Sequence, residues 1–276
     1  MSLFENQVVV VTGAGRGIGA ATARLFAEHG ASVVVNDLDA GPARETVDAI
    51  TEAGGTAHAV AGSVTEDGFA EALLAEAADT YGPLNVLVNN AGFTWDGMLH
   101  TMTDDQWLRV MEIHTFAPFR LIRAAAPHLR EPGKREMAAG GGVTANRVIV
   151  NVSSTSGLHG NVGQANYATA KMGVVGLTKT VAKEWGRFGV RCNAVAFGYI
   201  DTRMTRSKAD GETATVGSRE IAQGIPDAIR EAAMTANPLG RAGTDREAAG
   251  GVVLMASPLA SYVTGHTLEV TGGAGI

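Results

Sequence analysis

The chain has 276 residues and a formal net charge of −6 at pH 7, and 45% of its residues are hydrophobic against 18% that are charged. This aliphatic composition excludes an intrinsically disordered chain and a disulfide-rich secreted module, and the acidic balance without a long basic run argues against nucleic acid as a partner. With a single cysteine, no signal-peptide pattern and no apolar stretch long enough to span a bilayer, the sequence predicts a cytoplasmic protein without a membrane partner.

Strands and helices are predicted to alternate from the N-terminus onward. Residues 8–12 form an apolar β-branched run, and residues 20–29, after several glycines, have apolar residues at helical spacing. Further strands are predicted at residues 32–36, 57–61, 85–89, 147–153, 191–196 and 267–270, and further helices at residues 43–53, 68–81, 104–129, 167–185 and 245–255. This alternation predicts an α/β fold with one Rossmann-like domain over residues 1–276, in which helices cover both faces of a doubly wound parallel sheet of about seven strands.

Two segments interrupt the alternation. Residues 131–146 contain proline, several glycines and mixed charges, and this composition predicts an exposed insertion. Residues 201–237 begin polar and are predicted to contain a helix at 221–234. Because ligands bind outside the carboxyl ends of strands in open α/β sheets, this second segment is interpreted as a substrate lid, with a variable surface insertion as the alternative.

A glycine-rich turn, TGAGRGIG at residues 12–19, connects the first strand to the first helix. Glycine allows the backbone to turn sharply and approach a pyrophosphate, which the free N–H groups and dipole of a helix N-terminus stabilise. Asp37 follows 18 residues after Gly19, at the end of the second strand. This context predicts dinucleotide binding by Gly13, Arg16, Gly17, Ile18, Gly19 and Asp37.

Asp37 favours NAD over NADP as the cofactor. A carboxylate at this position can accept hydrogen bonds from the ribose hydroxyls, and it would repel the additional phosphate of NADP. Arg16 argues in the opposite direction, because a guanidinium in the turn could bind that phosphate.

Tyr167 and Lys171 lie four residues apart at the start of a predicted helix, so their side chains share one face. A phenol is a poor base near neutrality, and a nearby ammonium is expected to lower its pKa and make it a usable acid or base. Ser153 and Ser154 end the strand upstream, and either hydroxyl could orient a substrate carbonyl; strand periodicity does not distinguish them.

These motifs together resemble the short-chain dehydrogenase/reductase family over nearly the whole chain. The resemblance rests on the glycine-rich turn, on NNAG at residues 89–92, on Ser154 followed by YxxxK at residues 167–171, on Asn193, and on VTG at residues 263–265. It implies that Ser154 orients the carbonyl, that Tyr167 is the general acid or base, and that Lys171 tunes the phenol and holds the nicotinamide ribose.

The resemblance also implies further cofactor contacts. The adenosine side would be bound near the end of the third and fourth strands, and the nicotinamide side by the loop after the sixth. The implied residues, with Tyr167 and Lys171, are Ser63, Val64, Asn90, Ala91, Gly92, Gly198, Ile200 and Thr202.

Departures from the family pattern concern individual positions. His114 stands where the family has an asparagine that supports a water relay to the lysine, and a histidine can also relay protons, so His114 is a further catalytic candidate. Ser63 stands where an aspartate commonly contacts adenine, and Phe197 replaces the proline that usually precedes Gly198.

The segment around Tyr167 is most similar to 3-oxoacyl-[acyl-carrier-protein] reductases and 3-hydroxyacyl-CoA dehydrogenases, which implies an oxidoreductase acting on an acyl thioester carried by acyl carrier protein or coenzyme A. A steroid, sugar or other alcohol remains an alternative substrate, and a non-catalytic nucleotide-binding regulator is an alternative of another class.

The seven histidines show no metal-ligand spacing, so no metal is expected. Relatives imply a homotetramer or homodimer formed through the helices at 104–129 and 167–185.

Overall fold

A computed structural model describes residues 2–216 and 219–275 of the chain. Seven parallel strands form one sheet in the order β3-β2-β1-β4-β5-β6-β9. Their bounds are β1 Val8–Val11, β2 Ser32–Asp37, β3 Thr56–Ala61, β4 Leu84–Asn89, β5 Arg147–Ser154, β6 Val190–Phe197 and β9 Thr267–Val270. The order reverses between β1 and β4, and this reversal opens a crevice at the carboxyl edge of the sheet. The predicted Rossmann-like architecture is confirmed.

Helices pack on both faces of this sheet because its strands are apolar on both sides. One core lies between the sheet and α1 (Gly17–Glu28), α2 (Ala40–Glu52) and α10 (Asp245–Ala256). The other lies beneath α3 (Phe69–Tyr81), α5 (Ala117–Ala124), α6 (Ala126–Ala138) and α8 (Ala165–Trp185). The remaining α-helices are α4 Asp104–Met111, α7 Thr155–His159 and α9 Asp227–Ala236.

The prediction of a single α-helix over residues 104–129 is wrong, because the structure divides this range into several helical elements. After α4, residues Glu112–Phe116 form a π-helical turn, and Ala125 then separates α5 from α6. Pro118 and Pro127 stand in the first turns of α5 and α6. Because proline has no N–H, it cannot continue the preceding hydrogen-bond ladder but is tolerated where a new helix begins.

The two interrupting segments also differ from the sequence prediction. Helix α6 continues to Ala138, so residues 131–138 are helical rather than part of a loop. In the second segment, β7 (Thr213–Val216) and β8 (Arg219–Ala222) pair antiparallel, and α9 begins at Asp227 instead of residue 221. Pro226 immediately before α9 explains the late start, since the residue before a proline is driven to extended backbone.

Neither a membrane-spanning helix nor a metal-binding cluster is found in residues 2–216 and 219–275. In these ranges, no helix combines the length and apolarity that crossing a membrane requires. The same residues contain no group of three or more His, Cys, Asp or Glu side chains arranged to hold a metal ion.

Candidate active site

The glycine-rich turn lies at the crevice between β1 and β4, and α1 begins inside it at Gly17. The first N–H groups of a helix have no partner within the helix, so they are available to an anion at this point. A Cβ on Gly19 would lie 2.1 Å from the Gly13 carbonyl oxygen, and one on Gly13 would lie 2.7 Å from Ala91 Cα. The turn can therefore be this tight only with glycine at these two positions.

The end of β4 braces the turn. The side-chain amide of Asn90 donates to the carbonyl oxygens of Thr12 and Gly13, at 2.9 and 3.0 Å. The buried Thr12 hydroxyl accepts from the backbone N–H groups of Asn90 and Ala91, both at 3.1 Å. The structure thus brings Gly13, Asn90 and Ala91 together, and the Asn90 side chain is hydrogen-bonded to the backbone of the glycine-rich turn.

Asp37 stands beside the same turn. Its carboxylate accepts a hydrogen bond from the Gly15 N–H at 2.8 Å, and the Arg16 guanidinium extends outward to Asp39 at 3.7 Å. Ser63 and the buried Val64 follow β3 next to the end of β2, because the Gly62 N–H donates to the Asp37 carbonyl at 2.9 Å. A carboxylate therefore lies at this end of the crevice.

The other end of the crevice is formed by the loop after β6. Gly198 is fixed by a hydrogen bond from its N–H to the Val270 carbonyl, and Ile200 is buried. Thr202 lies near the glycine-rich turn, because it lines the same cavity as Gly17 and a Cβ on Gly17 would be 4.0 Å from its methyl group. A cavity of about 460 Å³ opens between these segments, lined in part by Arg16, Gly17 and Thr202.

An extended dinucleotide fits this edge of the sheet. The tight glycine turn admits a pyrophosphate, the start of α1 offers N–H donors, and Asp37 offers a carboxylate acceptor. Of the predicted cofactor residues, Arg16, Gly17 and Thr202 line this cavity. The others stand at or after the carboxyl ends of β1, β2, β3, β4 and β6, namely Gly13, Ile18, Gly19, Asp37, Ser63, Val64, Asn90, Ala91, Gly92, Gly198 and Ile200.

The two serines at the end of β5 point in different directions. Ser153 is buried, and its hydroxyl donates to the Lys171 carbonyl at 2.9 Å, so it ties β5 to α8. The Ser154 hydroxyl accepts from the Ser156 N–H at 3.1 Å, and it lies close enough to Tyr167 to oppose the rise in the pKa of the phenol. The residue facing Tyr167 is therefore Ser154.

The predicted fall in the pKa of Tyr167 is wrong for this structure. Loss of hydration on burial raises the pKa of Tyr167 to about 12, a Ser154 hydrogen bond opposes the rise, and the charge of Asp96 adds to it. Burial also lowers the pKa of Lys171 to about 7. The Lys171 ammonium donates to the Val152 carbonyl at 2.8 Å and lies 5.5 Å from the centroid of the Tyr167 ring, so it does not offset the desolvation of the phenol.

His114 lies against Tyr167 within the π-helical turn. Its ring meets the Tyr167 ring edge-on at 5.0 Å between centroids, and only 3% of the residue is exposed. Nε2 is 2.7 Å from the Phe93 carbonyl oxygen and therefore carries the proton, whereas Nδ1 has no hydrogen-bond partner among the described residues. Desolvation, with the nearby charge of Lys171, keeps the pKa of His114 well below 6.5, so the ring is neutral.

Gly92 makes the close approach of His114 possible. A Cβ on Gly92 would lie 2.1 Å from Cε1 of the histidine ring. The end of β4 thus supports two parts of the site: Asn90 braces the glycine-rich turn, and Gly92 admits the imidazole beside Tyr167.

A family model for short chain dehydrogenases matches residues 7–213, which are most of the chain. The chain belongs to the short-chain dehydrogenase family. It is an oxidoreductase that acts on CH–OH or carbonyl groups and uses NAD or NADP.

Three similar members of the short-chain dehydrogenase family illustrate the breadth of the match. The 3-oxoacyl-[acyl-carrier-protein] reductase FabG of Vibrio cholerae is 39% identical over 270 residues, covering 98% of each chain. The short-chain reductase protein NovJ of Streptomyces niveus is 37% identical over 273 residues, covering 99% of this chain and 95% of NovJ. A (3R)-3-hydroxyacyl-CoA dehydrogenase of Canis lupus familiaris is 37% identical over 278 residues, covering 98% and 96%.

Asp96 and Gln164 belong to the site of this short-chain dehydrogenase, although the sequence analysis did not select them. Gln164 Nε2 donates to both carboxylate oxygens of Asp96, at 3.2 and 3.1 Å, just before the helix that presents Tyr167. No local motif marks this pair, because 68 residues separate its members. Only the tertiary contact between the loop after β4 and the start of α8 identifies it.

Proposed function

We propose that this enzyme interconverts a 3-oxoacyl and a 3-hydroxyacyl thioester, with Tyr167 as the proton donor in reduction. The relatives named as 3-oxoacyl reductase and 3-hydroxyacyl-CoA dehydrogenase support this substrate class. The observation that carries the proposal is the cluster of Ser154, Tyr167 and Lys171 at the same sheet edge as the dinucleotide crevice. A protein that only bound a nucleotide would not require such a cluster.

Tyr167 and Ser154 act on the substrate oxygen. With its pKa raised to about 12, the phenol is protonated near neutral pH and can give its proton to the carbonyl oxygen as that oxygen gains negative charge. The Ser154 hydroxyl orients the same oxygen by hydrogen bonding. NAD or NADP, when bound, would supply or accept the hydride at the substrate carbon.

Lys171 and His114 support the phenol. Lys171 is held by the Val152 carbonyl beside Tyr167, where it can bind the nicotinamide ribose and assist reprotonation of the tyrosine. His114, neutral and with Nδ1 free to accept a hydrogen bond, positions the Tyr167 ring and takes the place of an asparagine in a proton relay.

Kinetics with a simple thioester test the proposal. Acetoacetyl-CoA with NADH or NADPH should be reduced, and Tyr167→Phe should lower kcat by roughly 10³-fold because it removes the general acid. Tyr262→Phe is the matched control, since Tyr262 is fully exposed and should leave turnover unchanged.

Circular dichroism and cofactor binding should confirm that the Tyr167→Phe protein is folded. Undiminished turnover by that variant would contradict the mechanism. Reduction of other carbonyl compounds but of no acyl thioester would contradict the substrate class, and absence of any nicotinamide oxidation would favour a non-catalytic binder.

We further propose that NAD is preferred over NADP. Asp37 presents its carboxylate at the ribose end of the crevice, and Arg16, the basic residue of the turn, is directed toward Asp39. A phosphate on the ribose would meet the Asp37 charge, whereas two hydroxyls could donate to it.

Cofactor titrations test this preference. We expect NADH to bind at least tenfold more tightly than NADPH, and Asp37→Asn to reduce the ratio of the two Kd values several-fold, since an amide keeps an acceptor for Gly15 but loses the charge. Asp48→Asn on the exposed side of α2 should not alter the ratio. Equal or tighter NADPH binding by the wild type would overturn the assignment.

We also propose that the chain forms a homotetramer or homodimer in the cytoplasm. Apolar side chains are exposed on the helices from α4 to α5 and on α8, namely Leu108, Phe116, Phe119 and Met172. Such a patch on two adjacent elements favours association with a second copy.

The single cysteine, Cys192, is a buried free thiol, and it supports the proposal that the protein works in a reducing compartment such as the cytoplasm.

A further inference from the structure

Residues 93–96, in the loop after β4, present four consecutive backbone carbonyls to side chains of other elements. These residues form neither helix nor strand, so no ladder of backbone hydrogen bonds fixes their course. Each carbonyl instead accepts a side-chain hydrogen bond at 2.7–3.4 Å. In the order of residues 93 to 96, the donors are His114, Gln223, Asn166 and Gln106. The conformation of this segment, which we call the 93–96 strip, therefore depends on these four donors.

Two of the donors adjoin Tyr167. The ring of His114, which donates to the Phe93 carbonyl, meets the Tyr167 ring at 5.0 Å between centroids. The fully buried Asn166 donates to the Trp95 carbonyl, and its side-chain oxygen accepts from the Tyr167 N–H at 2.7 Å. A displacement of the 93–96 strip would therefore reach the phenol both through its ring contact and through the start of the helix that carries it.

The donor to the Thr94 carbonyl belongs to a different part of the molecule, the β7–β8 hairpin. Gln223 directly follows β8, and its backbone N–H donates to the Glu212 carbonyl at 2.8 Å, which holds it in the hairpin. Only 3% of Gln223 is exposed, and its side-chain amide donates to the Thr94 carbonyl at 3.0 Å. The Thr94 hydroxyl lies 3.4 Å from Oε1 of the same side chain. A residue of the predicted substrate lid, residues 201–237, thus completes the set of donors to the strip.

We propose that Gln223 is a positioning residue, which fixes the 93–96 strip at Thr94 and thereby the Tyr167 phenol. The inference rests on the proposed function, in which Tyr167 donates the proton. Because peptide units are rigid, rotation of the Thr94 carbonyl changes the direction of the carbonyls on either side. Those carbonyls bind His114 and Asn166, the two residues that adjoin the phenol. Docking of the hairpin therefore completes the catalytic geometry.

Single-turnover kinetics of Gln223→Met test this positioning role. Methionine has a similar volume but no N–H donor. With acetoacetyl-CoA and whichever of NADH and NADPH binds more tightly, we expect the rate of nicotinamide oxidation at saturating thioester to fall about tenfold, since small misplacements of reacting groups cost up to about 100-fold. The thioester concentration for half-maximal rate and the cofactor Kd should remain unchanged.

Gln7→Met is the matched control. Gln7 directly precedes β1, at the amino edge of the sheet, and its side-chain oxygen accepts a hydrogen bond from Asn146 at 2.9 Å. The substitution removes a side-chain hydrogen bond away from the proposed site, and it should leave the single-turnover rate unchanged.

A double-mutant cycle with Tyr167→Phe distinguishes positioning of the phenol from a direct effect on the substrate. If Gln223 acts through Tyr167, Gln223→Met should have little effect on the residual rate of the Tyr167→Phe protein, because the group that it positions is already absent. Equal losses in both backgrounds would overturn the proposal. A loss confined to the half-saturating thioester concentration would also overturn it, because the hairpin would then only hold the substrate.

The same measurements separate this inference from the proposed function. If the wild type reduces acetoacetyl-CoA and Gln223→Met does so at an undiminished rate, the positioning role fails and the proposed function stands. If the wild type reduces no acyl thioester, or Tyr167→Phe retains full turnover, the proposed function fails and this inference fails with it. Gln223→Asn, whose amide is one methylene too short to reach the Thr94 carbonyl, should show the same loss and keeps the test decisive if Gln223→Met does not fold.

Discussion

Burial, rather than mutual charge, determines the ionisation of the proposed catalytic residues. Tyr167, Lys171 and His114 are all shifted toward their neutral forms, and desolvation is the largest cause in each case. The neutral phenol suits proton donation to a carbonyl, which is the reduction direction. A low-dielectric site of this kind costs stability wherever a side chain must hold its charge.

The lowered pKa of Lys171 makes the free energy of unfolding depend on pH. Its pKa is about 7 in the folded protein against an ordinary 10.5, so between these values the unfolded chain binds a proton that the folded chain has released. Stability therefore rises with pH in that window by up to about 1.4 kcal/mol per unit, and it is independent of this group below the folded pKa. From pH 7 to 9 the wild type should gain about 2 kcal/mol relative to Lys171→Met.

Urea unfolding at several pH values measures this difference. Lys183→Met, at an exposed position of the same helix, should retain the pH dependence of the wild type. The range stops at pH 9 because the pKa values of Tyr167 and Cys192, both raised to about 12, add an opposite slope at higher pH. Parallel curves for wild type and Lys171→Met would show that Lys171 is charged in the folded protein.

Individual elements are held by a few long-range polar contacts. Arg191, at the start of β6, donates to the carbonyls of Met255, Ala256 and Ser257 at distances from 2.8 to 3.1 Å. These carbonyls stand at the C-terminus of α10, where the helix has no internal donors left. One buried guanidinium thus caps α10 and joins it to the sheet.

Replacing Arg191 should uncouple α10 from the sheet. Arg191→Met keeps much of the side-chain volume but leaves the buried carbonyls without donors, and we expect a loss of about 2–4 kcal/mol in the free energy of unfolding. Chemical denaturation provides the measurement, with Arg44→Met on the exposed face of α2 as the control. A loss below about 0.5 kcal/mol, typical of a surface substitution, would refute this capping role.

In the monomer, helices α4, α5 and α8 expose apolar side chains on one part of the molecular surface. Leu108 and Phe119 are 64% and 39% exposed on α4 and α5, and Met172 is 50% exposed on the adjoining α8. Arg120 and Arg123 lie over the rings of Phe116 and Phe119, so the patch combines aromatic and cationic groups. Aromatic side chains and arginine are enriched in protein interfaces.

A double substitution in this patch tests the proposed assembly. The wild type should have the mass of a dimer or tetramer in size-exclusion chromatography with light scattering, and Leu108→Glu with Phe119→Glu should lower that mass, because two buried charges would be unpaired in the interface. Ile229→Glu, at an exposed apolar position of α9, should not change it. A monomeric wild type would contradict assembly, and an unchanged mass of the double variant would place the interface elsewhere.

Local patterns in the sequence were sufficient for the sheet and for much of the candidate site. The β-branched runs, the glycine-rich turn and the YxxxK spacing predict strands, a phosphate-binding turn and a shared helix face, since each depends on neighbouring residues alone. The breaks at Pro118 and Pro127 could also have been read locally, yet the apolar pattern around them was continuous enough to suggest one helix.

Tertiary structure decided what depends on distant residues. It buries Tyr167 and raises its pKa, pairs Asp96 with Gln164, and brings His114 against Gly92, and none of these follows from spacing along the chain. The physical reason is that periodicity reports only which face of an element a side chain occupies. The desolvation of a side chain and the charges near it depend on all the elements packed around that face. Which elements those are is known only from the folded structure.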